Sequence, residues 1–239
     1  MNAAPALDHV VIVVRELDAA VRACEAAGFT VAAGGRHPGR NTRNALVVFA
    51  DGSYLELIAY EAPSPDERWW RVLAAHGAGL VDFSLLPQDL DALVAGAQAR
   101  GLAGLVDRPG ARTRPDGTRI AWRSARPATS DLPFLCFDTT PRALRVPEGD
   151  VRLHANGAIG IAQVRVCVRD LAATLARYRA YLGEQAVVDG EVPLAGCRIT
   201  FAEAPRRARD EGPCGLSLRY EASRGGEGRV EPLDIPLLG

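Results

Sequence analysis

The chain has 239 residues, 48% hydrophobic and 24% charged, with a formal net charge of −1, the balance of an ordinary soluble globular protein with room for one large core or several small ones. So small a net charge excludes a global attraction to nucleic acid or to anionic membrane, and no apolar run reaches the roughly 18–20 residues that span a bilayer. All 28 basic residues are arginine, so lysine Schiff-base and lysine general-base chemistry are excluded, and any anion must be met by guanidinium groups.

The first eight residues carry no basic region, and the apolar run behind them is short and holds Arg15; no secretory leader is read, and a cytoplasmic location is expected. The Ala/Arg/Gly richness fits a GC-rich bacterial genome. Five cysteines (Cys24, Cys136, Cys167, Cys197 and Cys214) are an odd number without a CxxC pair, which argues against a disulfide framework and against a zinc ribbon. Cys24 and Cys167 fall in apolar patterns and read as buried small hydrophobes.

In chain order, "LDHVVIVVRELDAAVRACEAAGF" predicts a strand, then a helix opening at Leu17 and closing near Gly28. Asp8 and His9 stand at the head of an otherwise apolar strand. Three strand-like runs follow, "FTVAAGG", "NALVVFA" and "YLELIAY", with Asp51-Gly52 marking a hairpin turn. Between the first two runs, "GGRHPGRNTRNALV" reads as a polar loop carrying Arg36, His37, Arg40, Arg43 and Asn44. It is either an anion-binding lid or a solvated loop. "RWW" at 68–70 reads as a cover for a module junction or a dimer surface, and His76 as surface or linker.

The opening pattern returns in "LVDFSLLPQDLDALVAGAQARGL" and "IAQVRVCVRDLAATLARYRAYLG". Aligning Leu17, Leu90 and Leu171 puts Glu16, Asp89 and Asp170 just before each helix, where a carboxylate caps or meets the dipole. After the second helix "TRIAWRSA" and "PFLCFDTT" are the clearest strands, and "RPGARTRPDGTRIAWR" repeats the arginine density with Trp122 as a flat apolar wall. The third copy continues with "AVVDGEV", "CRITFAEAP" and "GLSLRYEA". His154, in the connection before it, reads as structural. The expected fold is α+β: about three βαβββ modules at 6–63, 78–147 and 158–223, with a tail at 224–239. Two such modules close into a cupped, incomplete β-barrel with helices outside, and its cavity is a natural place for a small ligand.

"LDHVVIVV", "RELDAAVRACEAAGF", "GGRHPGRNTRNALVVF" and "YLELIA" together resemble the vicinal oxygen chelate superfamily, in its glyoxalase-like branch. That resemblance implies a divalent ion (Zn, Fe, Mn, Ni or Co) in the cup, one ligand coming from the first strand and one from the fourth strand of each module. Carried over, it puts His9 and Glu56 in the ligand set, with Asp82 in the counterpart of His9 and Cys136 or Asp138 in the counterpart of Glu56. In the third copy Gln163 and Arg198 take those places, so no second equivalent site is expected. Glu56 is also the candidate proton-transfer base. Arg36, His37, Arg40, Arg43, Asn44 and Trp122 are candidate substrate contacts.

Read by themselves, His9 and Glu56 are a metal-ligand pair, a metal-free binding pair or a local hydrogen-bonded pair. A lone carboxylate in an apolar strand needs one of these partners. The implied activity is that of a metalloenzyme (lyase, isomerase or dioxygenase) acting on a small oxygenated substrate. The alternative is a metal-free protein of the same fold that sequesters a small molecule. The odd module number is compatible with a homodimer.

Overall fold

The structure is a computed structural model that describes residues 4–114, 116–204, 211–222 and 229–232. The first copy consists of β1 (Ala6–Val14), α1 (Leu17–Ala26), β2 (Ala32–Arg36), β3 (Thr42–Val48) and β4 (Tyr54–Tyr60). After α2 (Arg68–His76), the second copy runs through β5 (Gly79–Leu86), α3 (Leu90–Ala99), β6 (Val106–Thr113), β7 (Arg119–Arg126) and β8 (Phe134–Asp138). A short α4 (Arg142–Arg145) interrupts the connection to β9 (Ala158–Val168) and α5 (Leu171–Leu182). Then come β10 (Val192–Pro193), β11 (Arg198–Glu203), β12 (Gly212–Tyr220) and β13 (Val230–Pro232).

Local chemistry explains the repeated strand–helix step. Asp89 and Asp170 cap their helices, each side chain accepting the amide N–H three residues on at 2.9 Å. Glu16 makes no such bond. Beyond α1 and α3 the chain turns through Gly28 and Gly101 at φ of 83° and 88°, where a side chain would strain the backbone.

The first two copies merge into one eight-stranded sheet in the order β2-β3-β4-β1-β5-β8-β7-β6. β1 is its centre, parallel to β4 on one side and antiparallel to β5 on the other. The sheet curls into a cup with α1 and α3 on its outside, the expected α+β architecture of paired βαβββ modules. Alternation along β1 sorts the side chains by face. Val10, Ile12 and Val14 join Leu55, Leu57 and Phe83 in the main core under the helices. His9 enters the cup, and Val11 and Val13 pack inside it with Ile58, Phe134 and Cys136.

The third copy forms a separate five-stranded sheet, β10-β11-β9-β12-β13. It departs from the expected order. β12 pairs antiparallel with β9 on the edge away from β11, the place that β5 takes beside β1. The expected strand "AVVDGEV" instead turns at Asp189-Gly190, with both residues at positive φ, and only its last residue enters β10. Helix α5 then docks on α3, with Arg100 Nε donating to the Ala180 carbonyl at 2.9 Å. Tyr178 and Tyr181 donate from their hydroxyls to the Asp131 and Pro133 carbonyls. His154 ties the connection down by accepting the Thr30 amide at 3.0 Å, a structural role as expected.

Three further differences from the sequence reading stand out. The arginine-rich run ahead of the expected strand "TRIAWRSA" is itself a strand: β6 pairs with β7 in a hairpin around Asp116-Gly117. Within the tail, β13 pairs with β12, and the remaining tail positions, 224–228 and 233–239, lie outside the described residues. Cys167 is no isolated thiol either. It is disulfide-bonded to Cys214 with Cα atoms 5.7 Å apart. The β9–β12 pairing brings together two cysteines separated by 47 residues, and one pair plus three free thiols also makes an odd number. Cys24 is fully buried, as expected.

Candidate functional site

The parallel register of β1 and β4 sets His9 beside Tyr54 and Val11 beside Glu56. Equal pleat phase then sends His9, Tyr54 and Glu56 to the same concave face. The His9 and Tyr54 rings stack with centroids 4.7 Å apart, and Phe134 meets His9 edge-on at 5.3 Å. His9 Nε2 comes within 3.5 Å of Glu56 Oε2. The opposite ring nitrogen, Nδ1, donates to Asp8 Oδ2 at 2.7 Å.

Asp8 is fully buried. Burial alone would raise its pKa, yet Arg145, the His9 hydrogen bond and Arg142 outweigh it and hold the carboxyl well below the usual range. An ionised Asp8 can only accept, so the Nδ1 proton is fixed and Nε2 faces the cup. The supporting guanidiniums come from α4. Arg145 donates to Asp8 Oδ2 at 2.9 Å, to the Tyr54 hydroxyl at 2.6 Å and to Asp138 Oδ2 at 2.7 Å. Arg142 donates to Asp8 Oδ1 and to the Gly52 carbonyl. The segment between the second and third copies therefore closes the floor of the cup.

Glu56 sits on the other wall. Its Oε1 accepts from Asn44 Nδ2 at 2.6 Å, and His37 Nε2 lies 3.9 Å away. Asn44 reaches that position because Gly34 lets it. A Cβ on Gly34 would lie 2.0 Å from Asn44 Oδ1. Oδ1 itself finds no partner among the described residues, so the amide orientation follows from the carboxylate it serves. Burial lowers the pKa of His37 against the pull of Glu56, and its Nδ1 lies 2.9 Å from the Thr42 hydroxyl. Arg112, almost wholly buried on β6, donates to the Gly34 carbonyl at 2.6 Å. Together with Arg40, Arg126, Trp69 and Trp122 these groups surround a cavity of about 110 Å³.

Residues 7–182 match the family model of the glyoxalase-like domain. The chain belongs to that family. Its paired modules and the "LDHV…YLEL" signature place it in the vicinal oxygen chelate superfamily. Among solved structures, it is similar to a hypothetical protein from Staphylococcus aureus, at 15% identity and a TM-score of 0.64, over 83% of this chain and 86% of that one. A xylose isomerase-like TIM barrel/4-hydroxyphenylpyruvate dioxygenase fusion protein aligns at 15% identity and a TM-score of 0.53, over 91% of this chain but 36% of its own. A methylmalonyl-CoA epimerase of Streptomyces coelicolor, in complex with 2-nitronate-propionyl-CoA, aligns at 27% identity and a TM-score of 0.43, over 59% of this chain and 100% of its own. No curated protein matches the sequence.

The glyoxalase-like cup gathers the expected residues unevenly. His9, Glu56, Cys136, His37, Arg40, Asn44 and Trp122 line it. Arg36 turns out to Glu61 at 2.7 Å and Arg43 to Asp18 at 2.9 Å, because pleat alternation puts them on the solvent side of β2 and β3. Asp82 Oδ2 is engaged by Arg68 at 2.8 Å, by Trp69 Nε1 at 3.0 Å and by Arg126. Asp138 is engaged by Arg142 and Arg145.

The register also revises the counterpart of Glu56. Ser84, two residues past Asp82, pairs with Phe134 as Val11, two past His9, pairs with Glu56. An aromatic ring therefore stands where the second module's carboxylate was expected, and Cys136 lies two residues on. In the third copy Arg198 pairs with Gln163 itself, so Thr200 rather than Arg198 matches Glu56.

These donors do not fit a divalent ion in the way the family resemblance implies. Asp82 and Asp138 are held by guanidiniums, and burial raises the Cys136 thiol far above its ordinary range. Arg112, Arg126 and Arg145 line the same cavity and oppose a second cation. Among the described residues, no cluster of three or more His, Cys, Asp or Glu is arranged to hold a metal. Sequence reasoning missed Asp8, Arg112, Arg145 and Trp69. Asp8 next to His9 was the one visible signal, since a charged residue heading a buried strand requires a partner.

Proposed function

We propose that the cup binds a small oxygenated anion without a resident metal and that His9 and Glu56 move a proton on it. The observation that carries this reading is the line Asp8–His9–Glu56, with spacings of 2.7 and 3.5 Å, facing a cavity ringed by Arg40, Arg112 and Arg126. Asp8 fixes which nitrogen of His9 faces the ligand. Glu56, steadied on one oxygen by Asn44, has the other oxygen available to take or return a proton. The guanidiniums supply charge for a carboxylate and for an enolate-type oxygen developing beside it. A cavity of about 110 Å³ suits an acid of only a few heavy atoms, well below the roughly 300–1,000 Å³ of drug-sized pockets.

The test is C–H exchange in D2O, followed by NMR, with a panel of three- and four-carbon oxo acids and dicarboxylic semialdehydes, each with a C–H beside its carbonyl. Catalysed exchange lost in Glu56→Gln, with the fold retained, supports the proposal. Binding without exchange turns the reading to the sequestering alternative. Metal analysis of untagged protein runs alongside. Near-stoichiometric metal that is lost in folded His9→Ala and Glu56→Ala proteins returns the reading to a metalloenzyme.

A further inference from the structure

A second and larger cavity, of about 820 Å³, lies between the eight-stranded sheet and the third copy. Interfaces between modules are common ligand sites, and this volume falls within the range that takes a small organic molecule. Its walls are mixed. Ile12, Val72, Leu132 and Leu216 supply apolar surface, and the Cys167–Cys214 disulfide lies across one side. The polar end is built by Arg68 and Arg126, which both donate to the same oxygen of Asp82.

Charge decides what this end prefers. Asp82 is buried at 3% side-chain exposure, whereas the Arg68 and Arg126 side chains keep 36% and 42%, so one carboxylate neutralises only one of two partly exposed cationic side chains. Around the whole cavity the described charged side chains are Arg68, Arg126 and Arg169 against Asp82 and Glu211. Glu211 accepts the Arg169 amide at 2.8 Å. The excess is positive and concentrated beside the apolar wall. Trp69 and Phe134 hold the Arg126 guanidinium in place from the cup side, at 5.3 and 4.4 Å from the ring centroids. Its planar fork is thereby oriented before any ligand arrives.

We infer that this cavity is a binding site for an amphipathic organic anion, its acid head on Arg68 and Arg126 and its apolar body against Val72, Leu132 and Leu216. The site is distinct from the cup. Arg126 alone among the charged residues lines both.

Decanoate is the probe, titrated into the full chain by calorimetry. One molecule binds per chain, and decanol, with the same tail and no charge, binds at least about tenfold more weakly. Arg68→Gln weakens decanoate by at least about tenfold, and Arg68→Lys recovers part of that loss. Val72→Trp, at a half-buried position on α2, fills the cavity and abolishes binding while circular dichroism stays unchanged. Glu56→Gln leaves decanoate affinity as it was, which separates this site from the cup. The inference is overturned by absent saturation, by equal affinity for decanol, or by affinity that responds to Glu56→Gln and ignores Arg68→Gln.

Discussion

The His9 imidazole bridges two carboxylates, donating from Nδ1 to Asp8 at 2.7 Å and presenting Nε2 to Glu56 at 3.5 Å. Those carboxylates have different surroundings. Asp8 is buried under two arginines, while Glu56 borders the cavity. Asp8 therefore stays an orienting anion, and Glu56 is the one placed to meet a ligand.

Replacing Asp8 tests the orientation directly. Asp8→Asn removes the more buried of the two anions that Arg145 and Arg142 share, and breaking such a buried pair costs about 3–5 kcal/mol. Urea unfolding at pH 7 measures that loss. Since the folded pKa lies below the ordinary value of 3.8, the wild-type contribution is complete above about pH 4. It vanishes as pH falls through the depressed folded value, and the difference between wild type and Asp8→Asn narrows there.

Arg145→Met probes the same network from its other side. It strips Asp8, Asp138 and Tyr54 of a common donor, with an expected loss again of about 3–5 kcal/mol. Non-additivity in the double variant with Asp8→Asn measures the coupling. Fully additive losses would contradict the network.

His37 brings a separate pH dependence. Its folded pKa lies below the ordinary 6.5, so its neutral form contributes stability that is complete above about pH 6.5. That contribution disappears as pH falls through the lower folded value. Denaturation midpoints at pH 7.5, 6 and 5 follow this slope, which flattens in His37→Gln.

Gly34→Ala tests the seat of Glu56. The added methyl collides with the Asn44 amide, which must leave the carboxylate it serves. The expected outcome is at least about a tenfold loss of cup function with stability reduced by about 1–3 kcal/mol, the cost of a lost hydrogen bond to a buried charged group. Retained function together with a retained Asn44–Glu56 contact would rule this out.

Reduction tests the Cys167–Cys214 bond. A cross-link of this separation contributes about 2–4 kcal/mol. Urea midpoints with and without reductant, compared with Cys214→Ser, measure it. Thiol counting on the denatured, unreduced chain returns Cys24, Cys136 and Cys197 as free.

Beyond what the family resemblance implied for His9 and Glu56, the sequence by itself determined the repeat, the helix starts and the alternation along β1 and β4. Each of these depends on neighbours within a few residues or on a periodicity of two or 3.6. Tertiary structure alone decided the rest. The β5–β8 register put Phe134 opposite Glu56's position, and pairing across β6 and β7 turned an arginine-rich run into a wall that buries Arg112. The connection at 139–157 has no periodicity to read, yet its Arg142 and Arg145 reach Asp8 from 134 and 137 residues away. Asp82 and Asp138 carried a ligand's chemistry in the sequence. The fold surrounds both with guanidiniums, because a buried carboxylate binds whichever cation the chain brings closest.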